Sequence, residues 1–285
     1  MIDVHTHPVQ VAELLRDDPA LVRAVREVFG LFMPPQPLET FLLHLDEAGI
    51  DRAVLLPIDC TTAHGVTIVS NEQVAALVER CPRFIGFASV DPNLPDAPAT
   101  LEHAAQEYGL RGVKLDPALQ QFAIDDPQRA FPVYARAEEL GLPLLIHCGM
   151  SWAPKGRSAL ANPLALEAVV QAFPRLRIII AHLGWPWVNE AAMLAFRYPT
   201  VYLDTSVLFS GTPTESLRQA LQTSIGIDAL DRSLSRQIVF GSNYPRVDPK
   251  RAAWAVEALG LRPKLQQRIF HDNAAALLGL GGGEA

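Results

Sequence analysis

Apolar runs of strand length alternate along this chain with longer stretches whose apolar positions recur at helical spacing. Strands are predicted over residues 2–5, 53–58, 84–90, 112–115, 143–147, 178–182, 201–204 and 238–241. Helices are predicted over 37–48, 71–81, 97–108, 128–140, 164–172 and 213–223, and after the last strand over 249–259 and 263–278. The strand runs are rich in Val, Ile and Leu and lack polar alternation, the pattern of parallel strands covered on both faces. Eight successive strand and helix units predict an α/β fold, a (β/α)8 TIM barrel, as a single domain over 1–285 with a disordered tail at 279–285. A doubly wound open sheet is the runner-up, but it would not bring residues of the first and eighth strands together.

A barrel of this kind carries its active site at the C-terminal ends of the strands. The polar residues collect there: His5 and His7, Asp91, Lys114 and Asp116, His147, His182, Asp204 and Asn243 each stand at or just past the end of a predicted strand. His5 and His7 lie two apart on one strand, so alternation turns both rings to the same side. Two imidazoles so placed are half of a metal site.

Composition narrows the class of partner. The net charge of -7 comes without a block of Lys or Arg, which argues against nucleic acid or an anionic membrane and for a small-molecule ligand. Cys60, Cys81 and Cys148 are odd in number with no paired spacing, so no disulfide framework is expected and a cytoplasmic setting is. The chain starts inside its first strand, no apolar run is long enough to span a bilayer, and nothing excludes a homo-oligomer.

Read in order, the motifs resemble the amidohydrolase superfamily, specifically the amidohydrolase-related branch that includes aminocarboxymuconate-semialdehyde decarboxylase and related hydrolases. The resemblance rests on His5-Thr6-His7, Gly112-Val113-Lys114-Leu115, His147, His182-Leu183-Gly184, Phe240-Gly241-Ser242-Asn243-Tyr244-Pro245 and the closing Ile269-Phe270-His271-Asp272-Asn273-Ala274-Ala275. It implies one divalent metal, commonly zinc, held by His5, His7 and His147. His182 would be the acid-base residue beside it, and the residue at 243 a further ligand. Three protein ligands and an open position suit a catalytic zinc, whose bound water ionises near neutral pH.

Asn243 departs from that pattern, because the family carries Asp here and an amide can neither give the metal a negative charge nor take a proton. Three readings follow: a natural variant in which His182 alone activates the nucleophile, a site that has lost its metal, or an introduced Asp-to-Asn change that blocks turnover. Lys114 and Arg246 are candidate partners for a substrate carboxylate, with Lys155 and Arg157 behind them; an ion pair with Asp116 is the plainer reading of Lys114. Trp152, Trp185 and Trp187 are candidate flat walls for a planar substrate, Trp152 foremost. Cys148 reads as core, and His44, His64, His103 and His271 receive no role. The expected activity is metal-assisted hydrolysis of a small organic acid, lactone, ester or amide. The alternatives are non-oxidative decarboxylation of an unsaturated or aromatic acid and a catalytically silent ligand-binding barrel.

Overall fold

The computed structural model describes residues 1–206, 209 and 211–280. Eight short strands form the barrel wall: β1 (Ile2–Thr6), β2 (Arg52–Leu55), β3 (Phe84–Gly86), β4 (Val113–Leu115), β5 (Leu144–Ile146), β6 (Ile178–Ile180), β7 (Val201–Asp204) and β8 (Ile238–Val239). All pair in parallel, in one ladder of β1 to β3 and another of β4 to β8. Backbone hydrogen bonds close both seams between the ladders. At the first, Ala88 N–H donates to Gly112 O at 2.8 Å and Lys114 N–H to Ala88 O at 2.7 Å. At the second, Val4 N–H donates to Phe240 O, Asn243 N–H to His5 O and His7 N–H to Tyr244 O, all at 2.8–2.9 Å. The ring is therefore complete, and it brings the first and eighth strands together as the sequence predicts.

Helices Leu38–Ala48, Asn71–Arg80, Ala97–Gln106, Ala130–Glu139, Leu166–Ala172, Val188–Arg197, Pro213–Leu217 and Pro249–Glu257 follow β1 to β8 in turn. One set of strand side chains, including Leu55, Val113, Ile146 and Ile180, packs outward against Leu45, Leu77 and Val133 of these helices. The alternate set, Ile2, Val4, Val54, Phe87, Leu145, Ile179 and Val239, fills the barrel, and Ala274 and Leu277 of the last helix, Asn273–Leu278, pack against it. Burial on both faces explains the unbroken apolar runs.

Four differences from the sequence reading have physical causes. Helix Val188–Arg197 lies outside the predicted set; its outer face carries Met193 and Phe196, exposed at 36% and 49%, which blurs the apolar stripe. The segment between β1 and Leu38 contains helix Pro19–Glu27, capped by Asp18, whose side chain accepts from Leu21 N–H at 2.9 Å. Several predicted strands overrun their pairing because the chain stays buried as it enters the mouth loops. Thus Ile58 belongs to an antiparallel hairpin of Ile58–Cys60 with Val66–Ile68, and β6 stops at Ile180, two residues before His182. Finally, Gly279 closes the last helix in a left-handed conformation and Leu280 packs on the barrel interior, so the predicted disordered tail does not begin at 279; residues 281–285 lie outside the described residues. All three cysteines are free and buried, and no helix among the described residues is long and apolar enough to cross a membrane.

Candidate active site

The first strand aims its histidines by means of an irregularity. Asp3 is opposite Ala53 and Thr6 opposite Leu55, so three steps of β1 answer two of β2. Such a bulge changes which residues face inward. Val4 packs with the barrel interior, and His5, the next residue, also reaches inward to β7. Asp3 stabilises the bulge: its Oδ1 accepts from the N–H groups of His5 and Ser242, both at 3.0 Å. Burial pushes the Asp3 carboxyl up to about 7 despite those bonds. Just past β8, Gly241 leaves the room His5 needs, since a Cβ there would lie 2.9 Å from the His5 Cβ.

The two rings are fixed by their Nδ1 atoms. His5 Nδ1 lies 2.8 Å from Asp204 Oδ2 and His7 Nδ1 lies 2.9 Å from the carbonyl oxygen of Leu56. Both partners are acceptors, so each Nδ1 carries the proton and each Nε2 presents a lone pair. The two Nε2 atoms face one another at 3.2 Å. Facing lone pairs repel, and a cation between them removes the conflict. Burial holds both imidazoles well below their ordinary pKa, with Lys114 adding to the effect on each, so a shared proton is disfavoured there. This donor set fits a divalent metal.

Two further imidazoles complete the cluster. His182 packs against His5 with ring centroids 4.7 Å apart and against His147 at 4.9 Å. Its Nδ1 lies 2.8 Å from Ser206 Oγ and 3.0 Å from Ser206 O, and its Nε2 lies 3.1 Å from His147 Nδ1. His147 Nε2 is buried with no hydrogen-bond partner among the described residues, a third lone pair suited to a metal. Burial lowers both rings' pKa, for His147 against an opposing pull from Asp116. Direct contacts therefore run His7 to His5 to His182 to His147. Among the described residues the metal-type donors gathered within 4.8 Å of one another belong to His5, His182 and Asp204.

Asp204, at the end of β7, is the hub. It is fully buried; Oδ2 accepts from His5, while Oδ1 accepts from the N–H groups of His182 at 2.8 Å and Ser206 at 3.0 Å and from the Ser206 hydroxyl. His182 itself sits in a left-handed conformation, φ 58°, that turns the ring out of the strand direction. Neither Asp204 nor Ser206 was given a role from the sequence. The available signal was a carboxylate closing an otherwise apolar strand at the same end of the barrel as the histidines.

Above the cluster lies a narrow cavity of about 40 Å³, lined by His7, Phe29, Lys114, Asp116, His147, Trp152, His182, Trp185, Asn243 and Arg246 among others. His5 lies beneath this lining, and the other three histidines of the cluster form part of it. Lys114 is 1% exposed, and burial lowers its pKa against the opposing pull of Asp116 and Asp204. Asp116, also without an assigned role before, places Oδ2 3.9 Å from His147 Nδ1. Asn243 is buried, in a left-handed conformation with φ 65° that Asn tolerates better than most residues. Arg246 lines the cavity with its guanidinium over Phe29, and Trp152 stands 53% exposed at the rim. Lys155 and Arg157 are exposed outside the lining, as is Trp187 in part, and Cys148 is core.

Comparison with known proteins agrees with this fold. A family model described as Amidohydrolase matches residues 2–280. The L-fucono-1,5-lactonase of Burkholderia ambifaria is 31% identical over 263 residues, 86% of this chain and 80% of that protein. A shorter stretch of 67 residues is 30% identical to Protein fluG of Emericella nidulans, 24% of this chain but only 8% of that one. In structure, a TIM-barrel protein of Bordetella bronchiseptica superposes with a TM-score of 0.77 at 26% identity over 98% of both chains. The 5-carboxyvanillate decarboxylase LigW of Sphingomonas paucimobilis shares the fold at a TM-score of 0.67 and 20% identity, again over 98% of both.

Proposed function

Because the chain belongs to the amidohydrolase family, we propose that it is a metal-assisted hydrolase that opens the ring ester of a small lactone. The observation that carries this reading is the four-imidazole cluster beneath the cavity, with His182 oriented through Nδ1 and buried Lys114 on the same lining. The identity to a lactonase over most of both chains favours ring-ester hydrolysis over decarboxylation, because the decarboxylase likeness extends to fold alone.

Each step falls to a residue of this chain. His5, His7 and His147 would hold the metal, an all-imidazole set that suits zinc, with Asp204 and the Leu56 carbonyl fixing the first two rings. When bound, the metal supplies Lewis-acid polarisation of the ester carbonyl. His182, held by Nδ1–H on the Ser206 carbonyl oxygen, gives up the Nδ1–H of His147 to Asp116, accepts the proton of the attacking water at the freed Nε2, and then passes it to the leaving ring oxygen. Lys114 faces the carboxylate that the reaction releases, in a buried setting where the charge pair is strengthened. Asn243 orients the substrate as donor and acceptor; lacking a carboxylate, it leaves the proton work to His182. The substrate is a small molecule, and the enzyme acts in the cytoplasm.

A panel of 1,4- and 1,5-lactones with added zinc or manganese should release acid detectable with a pH indicator, and a chelator should stop it. Aryl and unsaturated acids tested in parallel should release no carbon dioxide. The reverse pattern would establish the decarboxylase, and silence in both assays the ligand-binding barrel.

A further inference from the structure

Three mouth loops interlock around one side chain. Arg246, just past β8, donates from Nη1 to Gly30 O at 3.3 Å and from Nη2 to Phe29 O, and its guanidinium lies 4.4 Å from the centroid of the Phe29 ring. Phe29 is 5% exposed and turns its ring edge-on to His7, with centroids 5.1 Å apart. Gly30 has φ 76°, and a Cβ added there would lie 2.6 Å from Pro154 Cδ in the loop after β5. The segment is also tied to its own helix, Phe29 N–H donating to Ala24 O and Leu31 N–H to Val25 O, both at 3.0 Å.

We propose that Arg246 is a positioning residue: it latches the Phe29–Gly30 backbone over the cavity and so holds Phe29 against His7. Two of the donors of its planar fork go to main-chain oxygens, and its face goes to an aromatic ring, a pairing that strengthens as water is excluded. The cavity beneath is about 40 Å³, room for a few waters. The latch therefore fixes Phe29 as one wall of the cavity, against which an entering lactone packs. The kinetic part of this inference rests on the hydrolase reading; the latch itself does not.

Two measurements test it. Hydrogen exchange of the Phe29 and Leu31 amides is expected to speed up at least tenfold in Arg246→Ala, with Arg246→Lys between that variant and the parent. Gly30→Ala, whose added Cβ wedges against Pro154 while the guanidinium itself is kept, should do the same. On lactones, Arg246→Ala and Gly30→Ala should each raise KM about tenfold for neutral and carboxylate-bearing substrates alike, and Arg246→Ala with Phe29→Ala should be no worse than either alone. Unchanged exchange in Arg246→Ala would overturn the proposal. So would a KM penalty confined to carboxylate-bearing substrates, which would make Arg246 a substrate clamp. If the parent hydrolyses no lactone, the hydrolase reading fails and the exchange measurement decides the latch by itself.

Discussion

Asp204→Asn is expected to lower kcat/KM for lactone opening by at least 10²-fold while leaving the fold intact. Asn keeps an oxygen that can accept from His182 N–H and Ser206 N–H, so the β7 hub retains its backbone bonds. Its other atom is an NH2 group, which cannot accept the Nδ1 proton of His5. That proton would move to Nε2, the atom that faces His7 at 3.2 Å, and the lone pair required of a ligand would be lost. Removing such an orienting partner typically costs 10–100-fold in metal affinity or activity. Here the cost should reach the upper end or pass it, because the same carboxylate also orients His182 through Ser206. Metal content after dialysis, measured beside steady-state rates and thermal unfolding, checks all three parts. Unchanged metal content and rate would remove Asp204 from the mechanism.

His182→Asn is expected to be the more damaging change to the chemical step, lowering kcat by roughly 10²–10⁴-fold, the usual contribution of a positioned general base. Asn is the right replacement because position 182 has φ 58°, and Asn tolerates the left-handed region that most residues avoid. The backbone bond from residue 182 to Asp204 survives the substitution. What disappears is an imidazole whose Nε2 can hold a proton in transit. KM should change by less than threefold to fivefold, roughly the energy of one neutral hydrogen bond. Rates near those of the parent would mean that another group takes the proton.

The strands, their parallel order and the end of the barrel where the polar cluster gathers were legible in the sequence because each depends on a local pattern. An apolar run bounded by a polar residue marks both a buried strand and the place where it meets the mouth. His5, His7, His147, His182, Lys114 and Asn243 could all be found that way. Asp204 met the same criterion, yet its task was invisible, because it depends on a 2.8 Å contact with a residue 199 positions away and on the turn that brings Ser206 back beneath His182. The β1 bulge was hidden for a related reason: alternation predicts that His5 and His7 share a face, as they do, but not that Val4 joins the interior beside His5. Arg246 could be placed near the mouth from its position after β8. That its guanidinium meets Phe29, 217 residues earlier, is a property of barrel closure, which no local pattern encodes.

Asn243 stands where the resemblance drawn from the sequence implies Asp. In the proposed mechanism the centre works with an amide there because His182 carries the proton. Replacing the amide by a carboxylate tests this most directly, since Asp fits the same left-handed backbone and nearly the same volume. The measurement is kcat/KM for lactone hydrolysis by Asn243→Asp at saturating metal. A value within about tenfold of the parent is expected, below the roughly 10²–10⁴-fold that a newly supplied general base would contribute. A gain of that larger size would contradict the mechanism and return the proton-accepting role to position 243.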